Sequence, residues 1–142
     1  MKTRRTAIVL AIGIILSSLM GCYHEKTFID HILDYCENNQ TFKFSLITEF
    51  DWDIAYVDRQ AYGKGEDLKK KYGLDYDFEI LETDYWYRIV FCNDRSVVRE
   101  TIFSTVSILL HDSVEVINPD SVFNIEWKDG SERPVLYLSV AD

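Results

Sequence analysis

No apolar run in this chain is long enough to remain in a membrane as a helix. The N-terminal run, residues 7–20, has 14 residues, against the roughly 20 that a helix needs to cross the hydrocarbon. A basic footprint is lacking too: 15 Lys and Arg face 24 Asp and Glu, for a formal net charge of −9. Phosphate contacts need clustered cations, so nucleic acid is excluded as a ligand. The familiar catalytic signatures are missing. There is no G-x-S-x-G and no H-E-x-x-H, and Gly63-Lys64-Gly65 lacks the spacing with which a Walker-type loop cradles phosphates. His24, His31 and His111 are scattered, with no i, i+4 pairing, so a zinc site would need ligands from distant segments. Neither an internal repeat nor a low-complexity stretch divides the chain, and its length suits one domain.

What is there begins with an ordered N-terminal pattern. Lys2, Arg4 and Arg5 precede the apolar run, which ends in Leu19-Met20-Gly21-Cys22. A basic start, a short apolar core and small residues before a cut form a signal peptide. The last four residues resemble the lipobox of bacterial lipoproteins, with Met20 in place of the usual small residue. That resemblance implies cleavage between Gly21 and Cys22, a diacylglyceryl thioether on the Cys22 sulfur and acylation of the new amino terminus. The expected location is the extracytoplasmic face of the cell membrane or outer membrane, and membrane lipid is the first expected partner. An ordinary secretory cut, an uncleaved anchor and a twin-arginine signal at Arg4-Arg5 are the alternatives; the residues after that pair do not continue the twin-arginine pattern.

Residues 1–21 would leave with the signal, so 121 of the 142 residues remain and the net charge falls from −9 to −12 as Lys2, Arg4 and Arg5 are lost. Residues 22–26 form the lipidated cysteine and a short tether, and residues 27–142 a single domain. Tyr23-His24-Glu25-Lys26 reaches only about 14 Å when extended, which keeps the domain close to the bilayer. An acidic exterior favours solubility and steers basic partners.

Along the domain the period of hydrophobicity switches. Phe28, Ile29, Ile32, Leu33 and Cys36 form a helical stripe, with Thr27 as cap and Asn38-Asn39 as stop. Period-two alternation follows at residues 42–47 and 51–56, then a loop at 58–65 and a short helix at 66–72 ending on Gly73. Residues 79–91 are the strongest strand, with Tyr85, Tyr87, Ile89 and Phe91 on one face and Trp86, Arg88 and Val90 on the other, which suits a central strand. The turn at Cys92-Asn93-Asp94-Arg95-Ser96 returns through Val97-Val98, and strands follow at 101–110, 114–117, 122–128 and 135–140. The expected fold is α+β, a mainly antiparallel sheet packed against an N-terminal amphipathic helix, with one further short helix.

Phe50-Asp51-Trp52-Asp53, the short helix ending at Gly73 and the aromatic strand into Val90-Phe91 resemble a broad set of small bacterial lipoproteins of unknown function, over residues 28–98. The resemblance implies an envelope location and a helix-on-sheet domain, and no activity. Cys36 and Cys92 remain beside Cys22; they either pair as a disulfide or stay as buried thiols. Asp51 with Asp53, Asp75 with Asp77 and Glu79, and Glu82 with Asp84 are spaced carboxylates, whose ordinary role is a solvated edge. Tyr85-Trp86-Tyr87 serves either as core or as a contact platform. No cofactor or metal is expected. Three functions are compatible with these residues: a non-enzymatic module that binds an envelope protein as inhibitor, immunity factor or assembly accessory; a lipoprotein that binds a glycan, small molecule or metal; and a small hydrolase.

Overall fold

The computed structural model describes residues 27–141; the signal, the Gly21/Cys22 cleavage and lipidation site and the 22–26 tether lie outside them. The described residues form two α-helices and two four-stranded sheets. Helix α1, Phe28–Glu37, starts where the sequence indicates. Thr27 N donates to Asp30 Oδ2 and Asp30 N donates to Thr27 Oγ1, a reciprocal capping box that satisfies two of the donors left over at a helix start. Ile32 and Cys36 are fully buried, while Phe28, Ile29, Leu33 and Tyr35 are half-buried against the same core.

Strands β1 (Thr41–Phe42), β5 (Ile108–Leu110), β7 (Phe123–Lys128) and β8 (Val135–Val140) make one sheet, in the order β1-β7-β8-β5. The other contains β2 (Ile54–Asp58), β3 (Trp86–Asn93), β4 (Ser96–Ser104) and β6 (Val116–Ile117), in the order β4-β3-β2-β6. Pairing is antiparallel except between β5 and β8, where Ile108 faces Leu136 in parallel register. The inner faces of both sheets and α1 share one core, built on Ile89, Phe91, Phe103, Phe123, Leu136 and Leu138. A second, smaller cluster lies on the other face of β3, where Val90 and Cys92 are covered by Leu68, Leu74 and Phe78 around helix α2 (Glu66–Tyr72). Both faces of β3 are therefore buried, as its continuous apolar run requires.

Three segments depart from simple alternation. The pattern at 42–47 pairs only through Phe42 and then tightens into a 3-10 turn, Phe44–Leu46, which keeps Phe42 and Phe44 in ring contact at 4.8 Å and leaves Leu46 59% exposed. The expected strand at 101–110 is broken by a turn at 105–107, which carries the chain from β4 in one sheet to β5 in the other. The expected strand from 79 begins only at Trp86. The β3–β4 hairpin turns through Asp94 and Arg95 at φ 47° and 65°, the backbone of a type I′ turn.

Cys36 and Cys92 are free thiols, the second of the alternatives the sequence left open. Cys36 belongs to the inter-sheet core and Cys92 to the cluster on the other face of β3, so the strand itself stands between them. Burial pushes the Cys36 thiol up to about 12 and the Cys92 thiol up to about 11. Both folded values lie above the ordinary 9.0. The stabilisation they represent is therefore fully present below pH 9 and lost as pH climbs toward 11 and 12. Two results are expected. An aromatic disulfide reagent near neutral pH should leave Cys36 and Cys92 unmodified in the folded protein and label both in denaturant, and the melting temperature should decline as pH rises beyond 9. Failure to label either thiol in denaturant would point to a bond between them.

Candidate interaction surface

Strand β3 carries a charged residue in the middle of its buried run. Arg88 is 0% exposed, and an arginine out of water must have all of its charge and donors answered. Its Nε lies 3.0 Å from Asp58 Oδ2, an ion contact whose alignment falls short of a hydrogen bond. Nη1 donates to Glu100 Oε1 and to the Glu79 carbonyl, both at 2.6 Å, and Nη2 donates to the Gly63 carbonyl at 2.8 Å. The guanidinium also stands 5.4 Å from the centre of the Phe78 ring. Asp58 and Glu100 come from the strands on either side of β3, at registers 58↔88 and near 88↔102. Neighbouring strands thus bring two carboxylates to one fork, which is the geometry a planar guanidinium can use and an ammonium cannot.

The two carbonyls held by Arg88 belong to loops, and this is the functional consequence of the cluster. Residues 74–85 run from α2 to β3 without regular structure. Leu74, Phe78 and Leu81 anchor that ribbon from below, Glu79 O is fixed by Arg88, and Leu81 N donates to Gly63 O. Gly65 permits this closeness: at φ 68° a side chain is disfavoured, and a Cβ there would fall 2.5 Å from the Phe78 ring. Beside it Tyr62 holds φ 59°, a rare conformation for a bulky residue, with its side chain 70% exposed.

The fixed ribbon displays a consistent chemistry outward. Asp75, Asp77, Glu79, Glu82 and Asp84 are all exposed, residues 74–85 contain no Lys or Arg, and Tyr76, Ile80 and Tyr85 stand in solvent among the carboxylates. The sequence placed these acids on strand-like spacing; the structure gathers them on one ordered loop. The platform at Tyr85-Trp86-Tyr87 divides. Tyr85 is 63% exposed, whereas Tyr87 is buried, donates its hydroxyl to Ile108 O and has its phenol pushed up by desolvation.

Other candidate residues serve the scaffold. Trp52 points inward between exposed Asp51 and Asp53, and Asp53 Oδ2 accepts from Asp94 N in the hairpin turn. His111 Nδ1 bonds to Ser113 Oγ at 2.7 Å. Among the described residues no group of three His, Cys, Asp or Glu is placed to hold a metal ion. A cleft of about 730 Å³ between β2, α2 and the 112–115 loop has Val57 and Leu68 in its lining. Two of its three cations have partners: Arg59 donates to the carbonyls of Leu110, His111 and Val114, and Lys71 to Glu115 at 2.7 Å, while Lys70 is exposed. That last bond pushes Lys71 up and Glu115 down. Comparison with known proteins adds no further constraint: no family model, curated protein or solved structure matches the chain.

Proposed function

We propose that this chain is a membrane-anchored lipoprotein of the bacterial cell envelope, held by lipid on Cys22 on the extracytoplasmic face, and that it acts as a non-enzymatic module binding an envelope protein. The observation that carries the reading is the 74–85 ribbon, five carboxylates and three exposed apolar side chains on a backbone tied down by Arg88. Pre-ordering a loop removes part of the entropic cost of association. The acids steer a basic surface toward it and set the salt dependence, while Tyr76 and Tyr85 supply rigid contact area. A buried arginine spent on loop carbonyls supports recognition by shape, the use expected of an inhibitor, immunity factor or assembly accessory.

The test is cross-linking and co-purification from envelope extracts, followed by kinetics with the recovered protein. Neutralising Asp77, Glu82 and Asp84 to their amides should slow association at least about tenfold at low salt and flatten its salt dependence. Tyr85→Ala should speed dissociation instead. Binding that ignores both changes would remove the ribbon from the interface.

A second reading is favoured by one feature. Trp127, 42% exposed, lines a cleft of about 460 Å³ with Leu33, Glu37, Ser107, Arg133 and Pro134. An aromatic face flanked by polar groups suits a glycan, and quenching of Trp127 emission by envelope oligosaccharides would establish it.

A further inference from the structure

At the start of α1 a cleft of about 540 Å³ is lined by Thr27, Phe28, His31, Ile47, Glu49, Phe50 and Arg99. Arg99 is exposed on β4, its guanidinium 5.4 Å from the Phe28 ring centre and 5.7 Å from that of Phe50. Both rings in turn stand edge-on to Phe91 in the core, at 5.9 and 5.4 Å, so the shelf beneath the cation is rigid. Among the described residues no carboxylate lies within ion-pair range of Arg99, and Glu49 in the same lining has no cation in range either. The helix end is already closed by the Thr27–Asp30 box, so the feature that asks for a ligand is the separated pair of opposite charges.

The length of chain before the cleft says what could fill it. Five residue steps join Thr27 to Cys22, at most about 17 Å of extended backbone. If Cys22 carries the lipid, as proposed above, the cleft is held within reach of the headgroup layer, which is several Å thick on each leaflet. An adjoining cleft of about 370 Å³ is lined by Leu46, Ile47, His31 and Tyr35 together with Asp34, Thr48 and Glu49, and its exposed Leu46 is suited to the headgroup boundary.

We propose that the Arg99 cleft seats a phospholipid headgroup of the anchoring bilayer, with the phosphate on the guanidinium and the ammonium of phosphoethanolamine beside the Glu49 carboxylate. A guanidinium backed by aromatic rings pairs with phosphate through a fork of donors, and a carboxylate in the same lining, outside ion-pair range of the guanidinium, selects a zwitterionic headgroup over an anionic one. The domain then rests on the membrane through the α1 start, and its orientation is fixed instead of being left to the tether.

The experiment uses the full lipidated chain in nanodiscs and in a maltoside detergent, with phenylglyoxal labelling of arginines read by peptide mass. Arg99 should label several-fold more slowly in discs containing phosphatidylethanolamine than in detergent, with Arg133, bonded to Ser107 Oγ, unchanged as the internal control. Protection should be weaker in discs of phosphatidylcholine with phosphatidylglycerol, and Glu49→Gln should erase that difference. Labelling of Arg99 at the detergent rate, or equal protection in both lipids with wild-type protein, overturns the proposal. The mass of the same sample separates the two readings: an acylated chain with unprotected Arg99 sinks the cleft alone, and an unacylated chain sinks the anchor.

Discussion

Arg88→Met should destabilise the domain by about 3–5 kcal/mol, the usual cost of removing one partner from a buried ion pair. Methionine keeps the bulk of the arginine stem, so the loss comes mainly from the Asp58 and Glu100 side chains, 5% and 8% exposed, which are left with no counterion. The Glu79 and Gly63 carbonyls lose their donor in the same stroke. Chemical denaturation measures the change. Adding Asp58→Asn and Glu100→Gln should recover part of it, since a neutral cluster costs far less to bury. Hydrogen exchange supplies an independent readout, with amides at 74–85 opening more readily in Arg88→Met while those of β7 and β8 follow global stability alone. An unchanged denaturation midpoint would mean that the ribbon is ordered by something other than this arginine.

Phe91→Ala is expected to be equally severe, about 3–5 kcal/mol, and a fall in melting temperature of roughly 10–20 °C. Phe91 is 0% exposed, and the rings of Phe28, Phe44, Phe50 and Trp52 all meet it edge-on at centroid distances between 5.1 and 5.9 Å. These neighbours come from α1, the 3-10 turn and the approach to β2, segments with little regular pairing of their own. Collapse around the missing ring is restricted by their attachment on several sides, which places the cost at the upper end of the range for large-to-small changes. Because Phe28 and Phe50 also carry Arg99, the variant should lose order at the Arg99 cleft first. Phe91→Leu, which keeps much of the volume, should cost less than half as much. A loss under about 1 kcal/mol for Phe91→Ala would show that the aromatic cluster is not the organising core.

Local chemistry made some parts of this fold legible in the sequence. Thr27 as a cap, a stripe through Ile32 and Cys36, and Gly73 after three lysines placed the two described helices to within a residue or two. Alternation around Ile89 and Phe91 identified the central strand. The division into two sheets was not legible, since it depends on a turn at 105–107 in an otherwise continuous β pattern and on a parallel β5–β8 pairing between distant segments. The partners of Arg88 were not legible for a related reason: alternation gives its strand face, shared with Val90, but Asp58 and Glu100 become its neighbours only through register. A signal was nonetheless present: a lone arginine inside Tyr87-Arg88-Ile89-Val90-Phe91 cannot reach water if both faces are covered, so carboxylates had to be sought on the adjoining strands. The spacing of the acids at 75–84 indicates a solvated edge, and all five are exposed; the course of their backbone is shaped by Phe78, Leu81 and the arginine beneath, which no spacing rule contains.

The intact mass of the protein isolated from bacterial membranes tests the central claim most directly. A lipid-anchored module predicts a chain beginning at Cys22, heavier than its amino-acid mass by a diacylglyceryl group and an amino-terminal acyl chain, and lost from the membrane fraction in Cys22→Ala. A membrane-free chain that retains residues 1–21, or begins elsewhere with an unmodified Cys22, would contradict it.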